Sequence, residues 1–224
     1  MQNNIGGITT SLPEVGLSSY IKSQINNFFP DEDIVTKNEI LELLPSAFKR
    51  LEYCFSKINN KYYFDGSNIL FHHLNGDQYS MFLYLMSHEA YKNSANNLAA
   101  KIYLLNKTLH SLDIYYEVEL PSVFMFVHPL GTVLGRAEYA DYLLVYQRCG
   151  VGSNHEVYPK LGKYTTLRPG SSILGNAKIG YNCTFAAESF LLDKDLNANS
   201  IYYGTPKNFS IKESKILPSI WRDQ

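Results

Sequence analysis

The chain is poor in the features that would announce many common functions. It has one tryptophan and three cysteines in 224 residues. Lys and Arg total 20 against 21 Asp and Glu, and the net charge is −1, so nothing in the charge balance favours nucleic acid or an anionic membrane surface. No apolar run approaches the ~20 residues of a membrane span. The opening MQNNIGGITTSLPEVG lacks the charged and apolar regions of a secretory signal. A cytoplasmic protein with no nucleic-acid or membrane partner is the expectation. There is no GxSxG, no P-loop and no GxGxxG, which removes the nucleophile-elbow and dinucleotide readings. Cys54, Cys149 and Cys183 are odd in number and scattered, so they read as reduced, buried side chains rather than as a disulfide, a metal site or a nucleophile.

What is present is a period of six. Leu161, Leu167, Ile173, Ile179, Phe185 and Leu191 recur at that interval, and Thr165, Ser171, Ala177, Cys183 and Ser189 follow four places after the first five. Neither helical nor strand periodicity gives a strict six, whereas each hexad of a β-helix makes one short strand and one turn. The large residue must point inward onto its neighbour one coil away, and the small one must fit the crowded corner. Upstream, Val127, Val133, Tyr139, Val145 and Val151 repeat in a second frame. The two frames do not join by a multiple of six, so Gly152 to Lys160 (GSNHEVYPK) is expected as a loop expelled from the coil.

Residues 1–118 follow helical periodicity instead. Leu17, Ile21, Ile25 and Phe28 share a face, and Pro30 ends that pattern. Thr36 and Glu39 have capping-box spacing, and Pro45 suits the first turn of a further helix carrying Phe48, Leu51, Phe55 and Ile58. Helices are also expected over residues 77–92 and 95–110. The fold class is therefore α+β: an α-helical N-terminal domain over residues 1–118, a parallel β-helix over 119–196, and a tail over 197–224.

Six histidines are the main candidates for chemistry. His72 and His73 are adjacent and cannot easily face one ion from a regular element, and no Cys or acidic partner stands at ligand spacing, so no metal is expected. His88 and His110 fall on helices. His128, in VHPLGTVLGR at the start of the repeat, and His155, in the expelled loop, are placed for proton transfer near neutral pH.

His128-Pro-Leu-Gly-Thr-Val-Leu-Gly-Arg136 resembles the HATGIVVGE segment of the serine acetyltransferases, which are hexapeptide-repeat acyltransferases. YPKLGKYTTLRPGSSILGNAKIG resembles that family's HPKI…ILGN…G segment, and Gly204-Thr205-Pro206 its G-x-P near the end of the β-helix. The resemblance covers roughly residues 64–212. It implies a left-handed β-helix, acetyl-CoA as cosubstrate, and direct acetyl transfer to an acceptor hydroxyl, with His128 as the base. It also implies a homotrimer or a dimer of trimers, because the CoA groove of the family lies between neighbouring β-helices. Glu119 resembles the carboxylate that orients the histidine, and Asp65 a substrate-binding aspartate. By position, Gly152, Pro169, Ala187 and Gly204 would line the CoA groove, with Lys207 or Lys212 near its phosphates.

The departures concern the acceptor. Val127 stands where the family has an acidic residue, and Val157-Tyr158 where it has an arginine and a histidine. His155 and Tyr158 are the acceptor-side candidates that remain. Serine, a sugar or a nucleotide-sugar stays open as acceptor, by O- or N-acetylation. A non-catalytic hexapeptide scaffold stays open beside them.

Overall fold

The computed structural model describes residues 3–222. Four helices come first: α1 (Glu14–Phe28), α2 (Lys37–Ser56), α3 (Gly76–Lys92) and α4 (Asn96–His110). A small sheet of β1 (Asn3–Ile5), β2 (Ile8–Thr10) and β3 (Ile69–Phe71) accompanies them. Leu17, Ile21 and Ile25 bury the inner face of α1, whereas Phe28 remains about half exposed. The capping box is present: the Thr36 hydroxyl accepts from Glu39 N–H, and the Glu39 carboxylate accepts from Thr36 N–H. Pro45 does not begin a new helix but lies inside α2. Its missing N–H leaves the Leu41 carbonyl without a helical donor. Burial of Leu43, Leu44, Ala47 and Phe48 on either side keeps the helix continuous. Every residue from Gln78 to Ala90 of α3 is buried, because this helix packs against α2, α4 and the first coil.

The rest of the chain winds into a parallel β-helix with three faces. One face stacks β4 (Phe124–Phe126), β7 (Leu143–Val145), β10 (Thr166–Leu167), β13 (Thr184–Phe185) and β15 (Ser200–Thr205), and β16 (Asn208–Glu213) closes it antiparallel. The second stacks β5 (Val133–Leu134), β8 (Gly150–Gly152), β11 (Ser172–Leu174) and β14 (Phe190–Leu192). The third stacks β6 (Glu138–Tyr139), β9 (Lys160–Leu161) and β12 (Lys178–Ile179). All six large residues of the downstream repeat are buried, and so are their five small partners. Gly162 shows why the third corner stays small: a Cβ there would stand 2.6 Å from the Gly180 carbonyl of the next coil. The expelled loop is also present, between β8 and β9, closed by a bridge from Asn154 to Val157.

The upstream frame differs from its sequence reading. Phe126 and Leu134, not Val127 and Val133, stand in register with Val145 and Val151. Leu134 is buried, and Val133 is 50% exposed. The corner between β4 and β5 is two residues longer than the same corner of the later coils. Gly131, at φ 71°, takes the left-handed turn that Arg148, Gly170 and Glu188 take in those coils, and the longer corner carries a second left-handed residue at His128, φ 49°. Histidine is one of the residues enriched in that region.

After β16 the chain returns to the helices. Asn59 N–H donates to the Ile220 carbonyl at 2.6 Å and Arg222 N–H to the Lys57 carbonyl at 2.8 Å. Trp221 is buried edge-on against Tyr142. No helix is long and apolar enough to cross a membrane among the described residues.

Candidate active site

A cavity of about 610 Å³ lies where the helical part meets the β-helix. Asn75 caps α3 by accepting from Gln78 N–H, which sets Asp77 in the first turn. The buried Gln78 side chain ties this turn to its surroundings, accepting from His72 N–H at 2.7 Å and donating to the Tyr62 carbonyl at 2.7 Å. Asp77 Oδ1 accepts from the His128 backbone N–H at 2.9 Å and lies 3.7 Å from His128 Nδ1. One carboxylate thus holds the left-handed corner and faces the imidazole. Burial raises the Asp77 carboxyl above its ordinary pKa, and the His128 N–H and ring offset this in part. The His128 side chain is 80% exposed toward the cavity side.

The β-helix supplies the opposite wall. Val127, Tyr146 and Arg168 directly follow the paired residues Phe126, Val145 and Leu167, so they occupy the same place on three successive rungs. Arg168 Nη1 donates to the Tyr146 hydroxyl at 3.1 Å, and its guanidinium lies 5.1 Å from that ring's centre. Ser219 and Ile220, from the returning segment, complete the lining.

One place further along each rung stand His128, Gln147, Pro169, Ala187 and Gly204. At about 4.8 Å per strand spacing, this lane runs about 19 Å from His128. Three of the residues expected along a CoA groove (Pro169, Ala187 and Gly204) lie in it, on consecutive coils. Gly152 ends β8 on another face, and Lys207 is exposed between β15 and β16. Lys212 is on β16 with its ammonium over the Tyr203 ring.

The remaining candidates lie outside the cavity. Glu119 is exposed and does not line it, and the carboxylate that meets His128 is Asp77. The physical reason is that the Tyr84 hydroxyl, donating to the Val118 carbonyl and accepting from Leu120 N–H, pins the two buried neighbours of Glu119 and leaves Glu119 facing solvent. Asp65 caps its own turn, accepting from the Ser67 and Asn68 N–H groups, and these bonds lower its pKa. His155 and Tyr158 are exposed on the expelled loop. Among the other histidines, His88 bonds the Tyr116 carbonyl and His110 bonds Asn106. No group of three His, Cys, Asp or Glu side chains is placed to hold a metal among the described residues. Burial raises the pKa of all three cysteine thiols.

Sequence reasoning missed Asp77, Tyr146, Arg168 and the returning segment. The Asn75-Gly76-Asp77 step before an apolar helix was the available sign of Asp77, since an asparagine cap marks a helix start. Arg168 could have been found only by stacking the two repeat frames in register.

No family model matches the chain. A curated serine acetyltransferase of Staphylococcus epidermidis is 26% identical over 119 residues, covering 51% of this chain and 56% of that protein. The chain thus matches just over half the length of that relative. Among solved structures, the serine acetyltransferase of Neisseria gonorrhoeae aligns with a TM-score of 0.70 at 18% identity, over 92% of this chain and 82% of the other. The Brucella abortus serine acetyltransferase in complex with coenzyme A aligns with a TM-score of 0.69 at 18% identity, over 93% and 85%. In sequence over about half its length, and in fold over nine-tenths of it, this chain is serine acetyltransferase-like, a helical bundle followed by a hexapeptide-repeat β-helix.

Proposed function

We propose that the protein is an acetyl-CoA-dependent O-acetyltransferase that uses His128 as general base. The observation that carries this reading is the Asp77–His128 pair at the mouth of the cavity. Nδ1 faces the Asp77 carboxylate, which leaves Nε2 for the acceptor hydroxyl. The 3.7 Å separation suits a site without substrate, since catalytic hydrogen bonds commonly tighten only on binding. Acetyl-CoA supplies the activated acyl group. His128 takes the hydroxyl proton as the acceptor oxygen bonds to the thioester carbonyl carbon. The carbon–sulfur bond then breaks, and the proton leaves with the CoA thiol. Asp77 steadies the imidazolium that forms between these events.

The lane from His128 through Pro169 and Ala187 to Gly204 supports a bound CoA arm. It is about 19 Å long and carries mostly small side chains. A structural neighbour, a serine acetyltransferase in complex with coenzyme A, supports CoA as the ligand. A groove on the outer edge of a β-helix gains its second wall from another copy, so a trimer, or a dimer of trimers through the helices, is part of the proposal. The acceptor is a small molecule that presents a serine or sugar hydroxyl.

Thiol release from acetyl-CoA tests the reading, with L-serine and a panel of sugars as acceptors. His128→Ala is expected to lose turnover by at least ~100-fold, the usual worth of a general base, while still binding acetyl-CoA by calorimetry. Unchanged turnover would remove the mechanism. Absence of both turnover and acetyl-CoA binding in the wild type would favour a scaffold instead.

A further inference from the structure

We infer that Arg168, seated on Tyr146, recognises an anionic group of the acceptor, which makes the acceptor a hydroxylated acid rather than a neutral sugar. The inference deepens the acetyl-transfer reading and takes from it the identity of the reacting end at His128. Its own support is separate. Arg168 is the one lysine or arginine among the described residues that line the cavity. Its partner there is the neutral Tyr146 hydroxyl, and no carboxylate pairs with it among the described residues. The arginines elsewhere on the β-helix behave differently: Arg136 pairs with Glu117 and Arg148 with Glu188. A guanidinium carries five N–H donors in a fixed fork that matches an oxyanion, and Tyr146 takes one of them. The tyrosine ring beneath the guanidinium orders it without neutralising it.

Register sets the reach. Arg168 is two strand spacings, about 10 Å, from the rung that leads into His128. Its side chain leans back over Tyr146, one rung nearer to His128. A molecule that places a hydroxyl at His128 and an anion at Arg168 therefore needs only a few bonds between them. Asp77, the one carboxylate among the described residues that line the cavity, is already engaged with His128 and stands at the hydroxyl end, so it does not repel an anion at the Arg168 end. A carboxylate and a phosphate share this chemistry, and paired acceptors separate them.

The experiment uses the full chain as wild type, Arg168→Met and Arg168→Lys, with melting temperatures to confirm folding. L-serine is compared with its methyl ester, and glucose 6-phosphate with glucose, by thiol release and by calorimetric binding. Arg168→Met is expected to raise the KM and Kd of the anionic member of one pair by roughly 10- to 100-fold, the worth of a hydrogen-bonded charge. The kcat and the KM for acetyl-CoA should stay unchanged, the neutral member should be unaffected, and Arg168→Lys should restore part of the loss. The pair that responds identifies carboxylate or phosphate. Equal losses with charged and neutral members, or no loss with either anion, would overturn the inference. If no acceptor turns over, the acetyl-transfer reading fails by itself. Calorimetry still decides Arg168: anion binding that disappears in Arg168→Met supports its role, and binding that is absent or indifferent to the substitution refutes it.

Discussion

Asp77→Asn separates the two tasks given to one carboxylate. Asparagine keeps an oxygen that can accept the His128 backbone N–H, so the left-handed corner should persist. What it removes is the charge 3.7 Å from Nδ1. At that distance, with an effective dielectric constant of about 20, the attraction to an imidazolium is on the order of 4 kcal/mol. The imidazole is 80% exposed, and exposed pairs deliver only about 0–1 kcal/mol. A loss of about 1–2 kcal/mol is therefore expected, which lowers kcat by roughly 5- to 30-fold. Stability should move the other way. Burial raises the Asp77 carboxyl pKa in the folded state, so its contribution to stability is present at low pH and falls as pH rises through the folded value. The amide does not ionise and escapes that loss. The variant should therefore melt at or above the wild-type temperature at pH 7, and the difference should vanish below about pH 4, the ordinary carboxylate value. Thiol-release kinetics and thermal melts at the two pH values read both effects. Wild-type turnover, or a lower melting temperature at pH 7, would refute the reasoning.

Two further predictions concern the scaffold. Burial pushes the Cys54 thiol up to about 12 from 9.0, so the folded protein should resist a thiol reagent at pH 8 and react fully only when unfolded. By the same linkage, stability should fall as pH rises above about 9, because only the unfolded thiol ionises there; a melting curve that stays flat from pH 8 to 10 after correction for other groups would count against it. Gly162→Ala drives a Cβ against the Gly180 carbonyl of the next coil, a backbone atom that cannot swing away. Overpacking of this kind costs about 1–3 kcal/mol, and calorimetry should show a melting temperature lower by several degrees.

The β-helix was legible because its rule is one-dimensional. A large residue every six and a small one four later fix strand, turn and inward face together, and every position of the downstream frame is buried as that rule requires. The rule failed at the first coil, where the corner gains two residues and a second left-handed turn at His128. Val127 and Val133 kept the spacing without the burial. Pro45 misled for a related reason: its ring suits a helix start, yet packing on both sides overrode the lost hydrogen bond. At the site, His128 was legible from its segment. Its carboxylate was not, because Asp77 lies 51 positions away and only the docking of α3 on the first coil joins them. Arg168 belongs to the same class, since its neighbours come from other coils and not from its own segment.

The return of the chain to α2 bears on biosynthesis. The bond between Asn59 and Ile220 links residues about 160 positions apart, one made well before the other. The α-helices and each coil can form as they emerge, since their contacts are local or one turn apart. The wall that Ser219 and Ile220 give to the cavity must wait for a loop of about 160 residues to close, the slow class of event in folding. A nascent chain still held short of Pro218 would expose Tyr142, where Trp221 later docks, and would present an unfinished cavity. The order of synthesis thus completes this cavity only after the scaffold around it is already built.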